Sequence, residues 1–172
     1  MYRAKQFFGA LTASIDDDDD QDVARWLTPS QRDLFQRMAP NDKNHSIQVY
    51  ETLCQIGADD PDLLAAALLH DVGKAIGHIW LWQRTLIVLL QRWAPDLLFW
   101  LSSGSYLDGA PWWRRGIMIS RLHAEVGARW AATAGSSPTV VALIRRHQEP
   151  VPTIGCNEDR LLITLQWADG VS

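Results

Sequence analysis

Cysteine is scarce in this 172-residue sequence: Cys54 and Cys156 are the only two, and neither sits in a CxxC or Cys/His spacing. A disulfide framework and a thiolate zinc site therefore have no support, and a reducing cytoplasm is the expected compartment. An excess of basic charge is also missing. Sixteen Lys and Arg stand against twenty Asp and Glu, net charge -4, with the acids densest at Asp16 to Asp20 beside Asp22. No basic stripe for a nucleic-acid duplex is present. The most apolar stretch, Ile79 to Trp93, is interrupted by Gln83, Arg84, Gln91 and Arg92, and falls short of the ~20 apolar residues of a membrane span. It reads as a core or interface helix, with no membrane partner expected. The opening MYRAKQFFGALTAS runs straight into aspartates and reads as no signal peptide.

Strand alternation is nearly absent, so the class is all-α. Punctuation divides the chain into helices: an acidic one from Asp16 to Leu27, then one opened by Thr28-Pro29 and ending about Met38, then one from Pro40 to Gly57. Asp60-Pro61 pairs an N-cap with proline at the first helical position, and DLLAAALLHD behind it is apolar on every side, which predicts a central buried helix ending near Gly73. A Trp-rich helix follows from His78 to Trp93, a short one after Pro95, a loop over Ser102 to Pro111 suited to a lid, and helices over Trp112 to Ala134, Ser137-Pro138 to His147 and Asn157 to Asp169. Residues 1–40 are read as an acidic segment and helices packing on the core, and 41–172 as the domain that carries the chemistry.

That chemistry is suggested by ionisable residues on apolar helix faces. His45 shares a stripe with Val49, Leu53 and Ile56; His70 and Asp71 end the apolar central helix; His123 lies with Ile119, Val126 and Trp130, His147 with Val140, Leu143 and Ile144, and Asp169 with Leu162 and Leu165. A lone histidine in such a place is usually a hydrogen-bonded core residue. Repetition changes the reading, because buried charge requires pairing or metal coordination and four imidazoles cannot neutralise one another. One or two divalent ions among Mn, Fe, Co, Ni and Zn suit a set of histidines and carboxylates without thiolate. Adjacent His70 and Asp71 can reach one metal only from a helix end aimed into the site, where the carboxylate can bridge to a second. Lys74 follows on the same face, placed to hold a phosphate oxygen.

These residues, in the strings NHSIQVYETL, LLAAALLHDVGKA, HAEVGARWA, VVALIRRHQE and LITLQWADG, resemble the HD (His-Asp) superfamily of metal-dependent phosphohydrolases over roughly residues 42 to 170. The resemblance implies an HD-like helical bundle with its metals in the middle. It also implies that His45, His70 and Asp71 hold one metal with Asp169, that His123 and His147 complete a second with Asp71 bridging, and that Lys74 assists with phosphate. The expected activity is hydrolysis of a phosphate ester, a nucleotide or another small phosphorylated molecule, by metal-activated water, with Asp71 and Lys74 as the catalytic pair. No GYP motif follows His147, which argues against the cyclic-di-GMP branch. Two alternatives remain at this level: a regulatory HD domain that binds metal and nucleotide without turnover, and a diiron HD-type oxygenase.

Arg145 and Arg146, next to His147, are candidate substrate contacts, the competing reading being a solvated face at a helix C-terminus. Arg84 is similarly open. His78 is left out of the metal set, and Glu125 and Glu149 point elsewhere. The nine tryptophans are expected to fill the core or a homodimer interface, with Trp112 or Trp113 available for base stacking.

Overall fold

The computed structural model describes residues 23–77, 79–103, 109–150 and 153–172. Most of the acidic helix read over Asp16 to Leu27, the centre of the expected lid, and His78 lie outside them; residues 23–26 are helical. No strand occurs among the described residues. Eight α-helices follow: α1 (Pro29–Gln36), α2 (Pro40–Gln55), α3 (Pro61–Leu69), α4 (Leu81–Trp93), α5 (Pro95–Ser102), α6 (Trp112–Thr133), α7 (Pro138–Arg146) and α8 (Asn157–Val171), with a 3-10 helix at Val72–Ile76.

Local chemistry explains where the helices start. Proline opens α1, α2, α3, α5 and α7, where its missing N–H costs nothing. Thr28 and Gln31 form a reciprocal capping box on α1. Asp60 accepts from the Asp62 and Leu63 amides, and Ser137 from the Val140 amide. Each such cap contributes about 1 kcal/mol.

Helix α3 is the axis. Every residue from Leu63 to Leu69 is buried, enclosed by α1, α2, α7 and α8. Its leucines meet Phe35, Leu53, Leu143, Ile144, Leu162 and Leu165 in one core. Burial at this level stabilises by roughly 1.5–3 kcal/mol per large side chain. Val23, Leu27, Leu34 and Met38 belong to the same core as the later helices, so the segments on either side of residue 40 share it.

One expectation needs correction. The central α-helix stops at Leu69 rather than near Gly73, and the chain tightens into the 3-10 helix. The cause is tertiary: a Cβ on Gly73 would lie 1.9 Å from the carbonyl oxygen of His123, so this turn presses directly on the α6 backbone. Of the two places expected for the tryptophans, core or dimer interface, the core takes few. Trp80, Trp82, Trp93, Trp100, Trp112, Trp113 and Trp167 are exposed, while Trp26 and Trp130 pack partly against it.

Candidate metal centre

Six side chains from five parts of the chain meet beneath the end of α3. His45 comes from the first half of α2, His70 and Asp71 from the end of α3, His123 from the middle of α6, His147 from the end of α7 and Asp169 from the last turns of α8. They form two groups, each compact enough to hold one ion: His45, His70 and Asp169, and Asp71, His123 and His147. In the first, His45 Nε2 donates to Asp169 Oδ1 at 2.7 Å, and His70 Nε2 lies 3.6 Å from the same oxygen. In the second, Asp71 Oδ1 is 3.3 Å from His123 Nε2 and 4.0 Å from His147 Nε2. The other Asp71 oxygen, Oδ2, faces back to His70 Nε2 at 3.6 Å and accepts from Lys74 Nζ. One carboxylate therefore stands between the groups.

The imidazoles are held in one way. Nδ1 of His70, His123 and His147 donates to the carbonyl three residues earlier, that of Ala67 at 2.8 Å, Ser120 at 2.8 Å and Ile144 at 2.7 Å. This fixes the tautomer and leaves Nε2 with a lone pair aimed inward, the arrangement that metal-ligating histidines adopt. The inward nitrogens are poorly served by protein alone. His70 Nε2 is buried without a hydrogen-bond partner, and the Nε2 atoms of His123 and His147 face each other at 3.2 Å. Two lone pairs at that distance repel unless a cation or a proton lies with them. The donor set thus fits divalent metal.

Electrostatics point the same way. Burial lowers the basicity of His147 first, and the neighbouring His70 and His123 lower it further, down to about 3, so this imidazole is neutral at ordinary pH. Burial alone would also lower His70, but Asp71 and Asp169 outweigh it and raise its pKa. Burial opposes ionisation of Asp71 as well, yet His70, His123 and Lys74 hold its carboxyl well below the usual range. Asp169 is likewise depressed, by His45 and His70 against its own burial. Carboxylates kept charged beside the neutral imidazole of His147 offer a cation both charge and a lone pair.

Lys74 is partly exposed, with its side chain at 22%, and lines a cleft of about 540 Å³ together with Arg37, Asp42, Ala75, Gly77 and Trp80. The arginines beside His147 are engaged elsewhere. Arg145 pairs with Glu125 at 2.8 Å, and Arg146 with Glu149, Glu158 and Asp159 at 3.2, 2.5 and 3.0 Å. Their partners lie outside the cluster, which supports the reading of a paired helix terminus over a phosphate contact. Sequence reasoning missed Gly73, whose need arises from contact with α6, and Arg37 and Trp80 at the cleft, which carry no local signal. The clamping carbonyls were accessible in principle, since any helical histidine has one three residues back.

The helical bundle thus converges two imidazole and carboxylate groups on its axis, each able to hold a metal ion. Residues 43–89 match the family model described as HD domain, in agreement with the resemblance read from the sequence. The match spans His45, His70, Asp71 and Lys74, and leaves His123, His147 and Asp169 beyond its end. No curated protein and no solved structure matches the chain.

Proposed function

We propose that this protein is a metal-dependent phosphohydrolase acting on a small phosphate ester, with a nucleotide as the leading substrate class. The observation that carries the reading is Asp71, one buried carboxylate whose two oxygens face two separate ligand groups while its outer oxygen also receives Lys74. Ions held by His45, His70 and Asp169 and by Asp71, His123 and His147 would supply Lewis acidity and hydroxide near neutral pH. The protein's own contribution is positioning. Asp71 links the groups and orients Lys74. The ammonium, held at the mouth of the cleft, is available to hold a non-bridging phosphate oxygen as charge grows on it, with Arg37 on the same wall as a second cation. Arg145 and Arg146 serve instead to fasten α7 to α6 and α8 through their carboxylate partners.

The test is metal analysis of purified protein followed by phosphate release from a panel of nucleoside mono- and diphosphates, cyclic nucleotides and simple phosphodiesters, with Mn²⁺, Fe²⁺, Co²⁺, Ni²⁺ or Zn²⁺ restored. Metal-dependent release from at least one class is expected. Stoichiometric metal with no turnover of any ester would establish a binding domain instead. Oxygen consumption that requires iron would move the protein to the oxygenase reading.

A further inference from the structure

The second unusual region is far from the histidines in character. On α4, Trp82, Leu86, Leu89 and Trp93 recur at intervals of four, three and four residues, which places them on one face of the helix. Trp82, Leu89 and Trp93 are 44%, 53% and 82% exposed. Trp112, at the start of α6 and 68% exposed, meets Trp82 edge-on with ring centroids 6.2 Å apart and extends the stripe. The three tryptophans alone present on the order of 400 Å², which already approaches the largest apolar patch of an ordinary soluble monomer.

The stripe is held firmly from the side. Gln83, about a quarter-turn around the helix from the stripe, is buried, accepts from the Trp80 amide at 2.9 Å and donates to the Trp113 carbonyl at 2.9 Å. Gly116 makes room for it, since a Cβ there would lie 2.2 Å from Gln83 Oε1. Exposure is thus a property of a latched helix pair.

Charge distinguishes what covers it. Between Ile79 and Arg121 there are five arginines and two aspartates, in a chain of net charge -4. Among the described residues none of Arg92, Arg114, Arg115 and Arg121 pairs with a carboxylate: Arg114 and Arg115 bond backbone carbonyls and Arg121 stacks over Phe99. Helix α4 carries no acidic residue. A symmetric pairing of two copies through this stripe would bring like charges together. Exposed Trp and Leu in a segment whose arginines keep their charge free of carboxylates is instead the composition that lies in the plane of an anionic membrane surface, tryptophan at the headgroup level and arginine toward the phosphates. No described helix is long and apolar enough to cross a membrane, so such contact would be peripheral.

From exposure, spacing and charge together we infer that the α4 stripe with Trp112 is a docking surface for an anionic lipid bilayer. The test is flotation of the full chain with vesicles of phosphatidylcholine alone and of equal parts phosphatidylcholine and phosphatidylglycerol, with tryptophan emission recorded. Binding to the anionic vesicles only, with a blue shift and a loss on raising salt, is expected. The triple variant Trp82→Ser, Trp93→Ser, Trp112→Ser should lose roughly tenfold or more in partitioning while keeping the parent's helical circular dichroism and metal content. Arg92→Glu, which leaves the apolar face whole, should weaken binding to anionic vesicles. Absence of flotation by the parent chain, or unchanged flotation by the triple variant, would overturn the proposal. A dimer in sedimentation that the triple variant dissolves, without vesicle binding, would assign the stripe to a second copy.

Discussion

The two ligand groups differ most in their access to solvent. The side chains of His45 and Asp169 are 30% and 33% exposed, whereas those of Asp71, His123 and His147 are at 3% or less. The outer group is assembled from α2, α3 and α8, and the inner from α3, α6 and α7. An ion in the outer group would lie beside partly exposed ligands, while one in the inner group would be enclosed by buried ones. His70 and Asp71, adjacent in sequence, are what make the two groups a single centre.

The largest effect is expected where the groups join. Asp71→Ala should remove metal from both and abolish phosphate release, read by elemental analysis and by turnover in parallel; full metal content in that variant would separate the groups and break the comparison. His45→Ala should be milder, costing the outer ion and leaving the inner one. On the parent protein the same asymmetry should appear as two phases of metal release to a chelator, and a single phase would mean equal access.

Lys74→Ala should keep metal near the parent level and slow turnover on the order of 10² to 10³-fold, the scale for one preorganised electrostatic contact. Unchanged kcat/KM would remove Lys74 from the chemistry. Gly73→Ala addresses the inner group alone, because a methyl there collides with the His123 carbonyl. A destabilisation of about 1–3 kcal/mol is expected, seen as a lower Tm, with inner metal lost ahead of outer.

The smallest effect concerns the fastening of α7 to α8. Backbone amides of Gly155 and Cys156 and the Arg146 guanidinium lower the Asp159 carboxyl to about 2 from 3.8. Its stabilisation is therefore present above about pH 4 and lost as pH falls toward 2. Arg146→Gln should raise the midpoint of acid unfolding slightly and leave neutral-pH metal content intact. An unmoved midpoint would show that the amides suffice.

Much of this arrangement was legible in the sequence because it depends on neighbours. Proline and N-cap residues mark the starts of α1, α3 and α7, and apolar stripes carry the inward direction of the ionisable residues. The termination of α3 was not legible, since the early turn answers to the backbone of α6, fifty residues on. The placement of the tryptophans was left open between core and interface for a related reason: an apolar side chain declares that it avoids water but not which surface receives it. The pairing of Arg145 and Arg146 likewise depends on Glu125, Glu158 and Asp159, whose proximity is purely tertiary.

The carbonyl clamps on three of the four cluster histidines carry one further consequence. Each ring is immobilised by its own chain segment, three residues back, so its rotamer entropy is surrendered when the helix forms rather than when an ion arrives. Such an aperture is rigid before loading, and it selects among competing ions by coordination geometry more than by adapting to each. The His45 ring has no such clamp among the described residues, its side-chain hydrogen bond going to Asp169. Whatever adjustment the centre makes to ions of different radius would then fall to the outer pair, His45 and Asp169, which face solvent.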